Sequence, residues 1–375
     1  MSAPLLPPVN ITVIGATGLI GRRHVSHIIS EPSTRLTCIV EPTSAGAQLA
    51  EELSIPHYPS LESLLLAVGA NEVQVDAAII ATPNATHVPL GILCVKHGLT
   101  CLIEKPLAVD AASAKALLQA MQAGAAGVGA NGAKVLTGHH RRHNSYIRAA
   151  KAALDTGVLG EVIAFQGVWA LLKDLPYFND FAWRRTKGSG GPVLINLIHE
   201  VDNLRYLFGD VERVFAEKGP HTRGFEVEET VAVTLRFCGG LVGTFVLSDA
   251  VASPWNWEMA TGENPLIEKT AQTVYTIMGT KGSLSLPEMR LWTYEGEAGN
   301  VGSSWLGKLK MDEALRTQID DEMPFARQLR DLVDVHRGVK EPVCGALEGA
   351  RSLAVVEAVI KSLESGMPVE IEKIG

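Results

Sequence analysis

Short apolar runs alternate with amphipathic stretches through the first third of the chain. Residues 9–14, 36–40, 76–81, 100–104 and 135–138 are aliphatic, β-rich segments. Helical patterns follow them: from Gly21 to about Ile29, then over 45–53, 61–66, 89–97 and 111–122. Continuously apolar strands alternating with helices predict a parallel sheet covered on both faces. The glycine–alanine stretch 124–132 is too flexible for a regular element and reads as a surface loop. From about Arg148 the character changes. Longer alternating segments at 162–169, 211–216, 230–237, 241–248 and 274–278 are flanked by helical patterns at 196–208, 324–336 and 346–365. This predicts an α/β domain over residues 1–145. A second, α+β domain with a large, mainly antiparallel sheet follows over 146–375, its helix 346–365 able to pack back on the first domain.

The first chemical signal is Gly15-Ala16-Thr17-Gly18-Leu19-Ile20-Gly21, placed directly between the first strand and its helix. A glycine-rich turn here lets backbone approach a pyrophosphate, and the helix N-terminus offers unpaired N–H groups and a positive dipole end. The spacing is one residue longer than the usual G-x-G-x-x-G, so the strand–turn–helix context carries the reading. Gly15, Thr17, Gly18, Leu19, Ile20 and Gly21 are the candidate cofactor contacts. Glu41 ends the next strand, where a carboxylate accepts from ribose hydroxyls and repels a 2′-phosphate. NAD is therefore expected over NADP, although Arg22 and Arg23 could accommodate that phosphate.

Three further segments join this loop in order: Thr82-Pro83-Asn84-Ala85-Thr86-His87, then Glu104-Lys105-Pro106, then Gly190-Gly191 followed by His199. Together with Gly21-Arg22-Arg23-His24 they make the sequence resemble the glucose–fructose oxidoreductase/inositol dehydrogenase (Gfo/Idh/MocA) family along nearly its whole length. The resemblance implies an N-terminal Rossmann domain and a C-terminal open sheet whose exposed face builds a homodimer or homotetramer. It also implies hydride transfer between nicotinamide and a carbinol carbon. By the same resemblance Lys105 lies beside the reacting hydroxyl, Pro106 follows an often cis peptide, and His199 is the acid/base partner. Thr82, Pro83, Asn84, His87 and Glu104 fall in the matched cofactor segments, with Pro83, Asn84 and His87 expected on the nicotinamide side. Chemistry agrees: a buried lysine with a lowered pKa can take a hydroxyl proton near neutral pH.

The sequence departs from the family at one position. Where many members carry an aspartate four residues before the histidine, this chain has Ile195. Asn196, three residues before His199, reaches the same helical face, and an amide can position a substrate but cannot relay a proton. The run His139-His140-Arg141-Arg142-His143-Asn144 is either a solvated basic turn or brings His140, Arg141 or Arg142 to a hydroxyl-rich ligand. Trp183 is a candidate pocket wall. Trp255 and Trp257 suit sugar stacking or a core or interface role equally.

Composition removes other classes. The chain has 375 residues, 46% hydrophobic and only 20% charged, with net charge −8. No basic stripe suggests nucleic acid, and no apolar run approaches a membrane span. The five cysteines lack metal-ligand spacing and no metal site is expected. Without a signal-like N-terminus the expected location is the cytoplasm. The leading reading is an NAD-dependent dehydrogenase acting on a secondary alcohol of a cyclic polyol, sugar or related hydroxylated ring. Two alternatives stand beside it. One retains and recycles its NAD(P) in epimerisation, glycoside cleavage or two-substrate oxidoreduction; the other is a non-catalytic, sugar-responsive regulator that binds a dinucleotide.

Overall fold

A computed structural model of the chain describes residues 6–125, 132–294 and 305–375. In chain order the elements are β1 (Val9–Ile14), α1 (Leu19–Ser30), β2 (Thr34–Val40), α2 (Ser44–Leu53), β3 (His57–Tyr58), α3 (Leu61–Gly69), β4 (Ala77–Ile80), α4 (His87–Lys96), β5 (Thr100–Ile103), α5 (Ala111–Ala125) and β6 (Val135–Thr137). Next come α6 (Ser145–Asp155), β7 (Val162–Ala170), α7 (Leu175–Asp180), α8 (Ile198–Phe208), β8 (Val211–Lys218), β9 (Thr230–Phe237), β10 (Val242–Ser248) and α9 (Trp257–Thr261). The last are β11 (Tyr275–Gly279), β12 (Gly282–Leu286), β13 (Arg290–Tyr294), β14 (Leu309–Asp312), α10 (Pro324–His336), α11 (Ala346–Ser365) and β15 (Val369–Glu370). Of the stretch expected as a loop, Gly124 and Ala125 belong to α5, while 126–131 lie outside the described residues.

The chain forms two compact units: residues 1–143, 322–353 and 374–375, and residues 144–321 and 354–373. In the first, a parallel sheet runs β3-β2-β1-β4-β5-β6. Strands β4 and β5 are buried at every position, which is why they read as unbroken apolar runs. The sequence reading placed 324–336 in the second domain, but α10 belongs to the first unit. Its Leu329, Leu332, Val333 and Val335 share one apolar cluster with Val13, Ile28, Ile39 and Ile79, and Arg330 pairs at 3.1 Å with Glu31, which caps the C-terminus of α1. An amphipathic helix announces its apolar face, not the surface that will cover it. Helix α11 is divided at Leu353, its first part being in the first unit.

The second unit is built on a sheet ordered β14-β13-β12-β11-β7-β10-β9-β8-β15. Strands β7 and β10 pair in parallel and the other neighbours are antiparallel. Alternation along β7, β9 and β10 buries Phe165, Trp169, Val233, Leu235, Phe245 and Leu247 on one face. Helix α8 covers that face: Phe208 packs on Phe165 and Phe237 at 5.4 and 5.7 Å between ring centroids. Glu200 and Asn203 of α8 also bond the Tyr275 hydroxyl of β11. The opposite face carries Ala164, Val168, Val242, Val246 and Met278, interleaved with Gln166, Thr234, Thr244 and Thr276. Its charged side chains include Arg213 and Glu217 of β8, Arg236 of β9, Glu370 of β15 and Arg290 of β13, away from β7 and β10. Among the described residues no helix is long and apolar enough to cross a membrane.

Candidate functional site

In the first unit the turn after β1 holds Gly15 at φ +83°, a left-handed conformation suited to glycine. A Cβ on Gly21 would stand 2.1 Å from the Gly15 carbonyl oxygen, so α1 can close on the turn only with glycine at 21. Gly18 caps α1 without a side-chain hydrogen bond, and no acidic residue occupies the first turn. The N–H groups of Leu19 and Ile20 and the positive helix end are thus left for an anion. Glu41 is buried beside the loop. Its carboxylate accepts from Thr17 Oγ1 at 2.7 Å and Thr43 Oγ1 at 3.1 Å, and its carbonyl oxygen lies 2.7 Å from His57 Nε2. Each carboxylate oxygen has more than one acceptor site, so the two hydroxyls leave capacity for a ribose. Arg22 donates through Nε to the Thr17 carbonyl, and Arg23 lies over the Phe325 ring at 5.0 Å. Cradle, uncapped helix and anchored acid fit a dinucleotide.

The ends of β4 and β5 meet on His87. Its Nδ1 is 2.8 Å from the Pro106 carbonyl and its Nε2 2.9 Å from that of Thr82. Burial pushes this imidazole below its ordinary pKa, against the two carbonyls that favour its charged form. With both ring nitrogens on backbone, His87 fixes the Thr82–Pro83 turn to the Lys105–Pro106 turn. Pro83 and Asn84 are exposed on a 3₁₀ turn, and Thr82 is half-buried, bonded by the Thr86 hydroxyl at 2.7 Å. The Lys105–Pro106 peptide is cis, and Lys105 is half-buried just past β5. Before it, buried Glu104 meets His24 Nε2 of α1 at 2.8 Å and accepts the Lys105 N–H at 3.2 Å.

The His139–Asn144 run is buried, not a solvated turn. The Arg142 guanidinium donates to the Val343 carbonyl and Glu348, and His140 stacks on Phe325 at 4.3 Å. These contacts pack His140 and Arg142 of the first unit against its own returning segment. The run holds two arginines and three histidines, yet the partners that bury them lie about 200 residues further along.

In the second unit His199 opens α8 and is 8% exposed. The turn before it, Val193–Leu197, is π-helical. Sequence spacing cannot reveal this, and i→i+5 pairing shifts the α-helical face relation by which Ile195 and Asn196 were aligned with His199. Asn196 is half-buried, and its Oδ1 accepts from Lys173 Nζ at 2.6 Å. Lys173 stands 3.6 Å from Asp249, which also pairs with Arg223; Arg223 is 3.6 Å from buried Glu229. Burial draws the Lys173 ammonium down to about 8 against the pull of Asp249 and Glu258. Lys173, Arg223, Asp249 and Glu229 were missed from sequence. The available signal was a charged residue just past each of two apolar strands, β7 and β10, but only their parallel pairing joins the two. Trp183 and Trp255 are exposed; Trp257 is fully buried and donates to Glu263, a core residue.

Comparison with known proteins agrees with this architecture. Residues 9–130 match the model described as the oxidoreductase family, NAD-binding Rossmann fold, and residues 151–371 that of its C-terminal alpha/beta domain (GFO_IDH_MocA and GFO_IDH_MocA_C). The chain is 26% identical to a 1,5-anhydro-D-fructose reductase of Ensifer adhaerens, covering 87% of this chain and 88% of that protein. It is 23% identical to a scyllo-inositol 2-dehydrogenase (NAD(+)) of Bacillus subtilis, over 97% and 96% of the two chains. In fold it resembles the WlbA dehydrogenase from Bordetella pertussis, solved with NADH and UDP-GlcNAcA, with TM-score 0.74, 21% identity and coverage of 98% and 100%. Glycine cradle, parallel sheet and second open-sheet unit therefore belong to one assignment: the chain is a member of the Gfo/Idh/MocA family of NAD(P)-binding oxidoreductases.

Proposed function

We propose that the protein is an NAD-dependent dehydrogenase of a secondary alcohol on a cyclic polyol or sugar. The observation that carries this is Lys105, half-buried at the C-terminal end of a parallel strand in the same unit as the glycine cradle, where open α/β sheets bind ligands. The bound nicotinamide supplies the hydride acceptor. Lys105 takes the hydroxyl proton, and His199 serves as the acid/base partner on the substrate. His87 and the Glu104–His24 pair hold the turns on which Lys105 sits. The name of the Bacillus subtilis relative supports the inositol class. Glu41 supports NAD: a 2′-phosphate would meet a buried carboxylate already held by two hydroxyls.

Turnover is expected on a panel of myo-inositol, scyllo-inositol and D-glucose with NAD, and of keto-inositols with NADH, followed by nicotinamide absorbance. NAD should exceed NADP in kcat/KM by at least about tenfold, and Glu41→Ala should remove most of that ratio, since the discrimination is like-charge repulsion by the buried Glu41 carboxylate. A panel without turnover but with retained dinucleotide binding would replace this reading with the regulatory one.

The open face of the second sheet is proposed as the subunit contact. Val242 and Val246 are 49% and 46% exposed there, and the surrounding strands present small apolar and threonine side chains suited to flat packing. Val246→Glu is expected to lower the molar mass seen by light scattering to that of a single chain. An unchanged mass would place the contact elsewhere.

A further inference from the structure

Asn196 stands one residue past the position at which the family aspartate is replaced by Ile195, and its surroundings fix which end of the amide meets a ligand. The atom 2.6 Å from Lys173 Nζ is Oδ1. An ammonium has three donors and no acceptor, so the opposite amide orientation would set N–H against N–H. Lys173 cannot swing away easily. Its main-chain N–H donates to the Asp249 carbonyl at 2.9 Å, and its Nζ lies 3.6 Å from the Asp249 carboxylate. The ammonium also sits over the Tyr177 ring at 4.7 Å and the Trp169 ring at 5.4 Å. Asp249 in turn is held by Arg223, whose guanidinium lies over Phe178 at 4.5 Å.

We propose that Lys173 is a positioning residue that locks Asn196 by its oxygen, so that Asn196 meets the substrate through Nδ2 as a hydrogen-bond donor. Resting on the dehydrogenase reading above, this deepens it toward a substrate class. A carboxylate on this helical face would accept a hydroxyl proton, whereas the locked amide requires an acceptor oxygen at that contact. The charges of Lys173 and Arg223 are already matched by Asp249 and Glu229. The acceptor is therefore expected to be a neutral carbonyl, ether or hydroxyl oxygen, not a carboxylate. The groups facing Lys173 are Asp249 beyond β10, Glu258 of α9, Arg223 before β9, and Tyr177 of α7. As the ammonium loses its proton near pH 8, the amine can accept as well as donate and the lock loosens, so KM should rise above that pH.

Two readouts test this. In protein labelled with ¹⁵N-lysine, a protected Nζ resonance assigned by its loss in Lys173→Met is expected to disappear in Asn196→Ala. If that resonance persists unchanged, or is never protected, the lock is wrong whatever the substrate. With myo-inositol and NAD, Lys173→Met and Asn196→Ala should each raise KM about tenfold, as for loss of one hydrogen bond. Their kcat should hold within about threefold, because the contact is not made only in the transition state. The double variant should be no worse than either single one, Lys173→Arg should recover part of the loss, and the alkaline rise in KM should vanish in Lys173→Met. Additive effects, or a fall in kcat alone, would overturn the proposal. A wild-type enzyme inert on every polyol and sugar counts against the dehydrogenase reading, and the lysine resonance still decides the lock.

Discussion

Lys105→Met is expected to lower kcat/KM by about 10³-fold while leaving dinucleotide binding and melting temperature close to wild type. Positioned general acid–base groups contribute about 10²–10⁴-fold, so loss of the proton acceptor sets the scale. Methionine keeps the unbranched apolar stem of a half-buried lysine and removes only its proton-carrying end. The Lys105 N–H to Glu104 is a main-chain bond at 3.2 Å and survives the change. The His87 bond to the Pro106 carbonyl is equally independent of the side chain. The turn therefore keeps its shape, and the deficit should lie in kcat. Stopped-flow absorbance and fluorescence titration of NADH separate the two effects. A variant within about tenfold of wild type would remove Lys105 from the proton path.

The cofactor half of this site is legible in the chain because its chemistry is local. Gly15 to Gly21 turn one strand into one helix, Glu41 ends the next strand, and Lys105 ends β5, all within continuous apolar runs. What escapes is non-local or lacks a periodic signature. Strand β3 has two residues and β14 is exposed throughout, so neither alternation nor length marks them. The His139–Asn144 run leaves a solvated turn and a ligand contact equally open in sequence, because the residues that bury it, Phe325, Asp331, Val343 and Glu348, return only near the chain's end. Lys173 and Asp249 become neighbours only because β7 and β10 pair in parallel. Ile195 was visible as a departure, but the lysine that orients the adjacent amide was not.

His24→Ala is expected to cost about 3 kcal/mol, the scale for leaving a buried carboxylate without its hydrogen-bond partner. It should also reverse the acid response of the protein. Burial alone would raise the Glu104 pKa, but the hydrogen bond and charge of His24, with His140 and Lys105 beside it, bring it down to about 2. A carboxyl whose folded pKa lies below its unfolded value of 4.5 stabilises the fold above that value. The contribution, about 3 kcal/mol, is lost as pH falls from about 4.5 toward 2. Without His24 the buried Glu104 loses its main stabilising hydrogen bond, and desolvation pushes its pKa above the unfolded value. Protonation then favours the folded state, so the variant should gain stability on acidification from pH 7 to 5, where wild type loses none through this group. Melting curves across pH 4–8 read the difference directly, with a fall in Tm at neutral pH of roughly 10 °C for a unit of this size. Adding Glu104→Gln to His24→Ala should recover much of the loss, because a neutral amide no longer demands a counter-charge. Parallel pH curves for wild type and His24→Ala would show that the carboxylate is held by other groups.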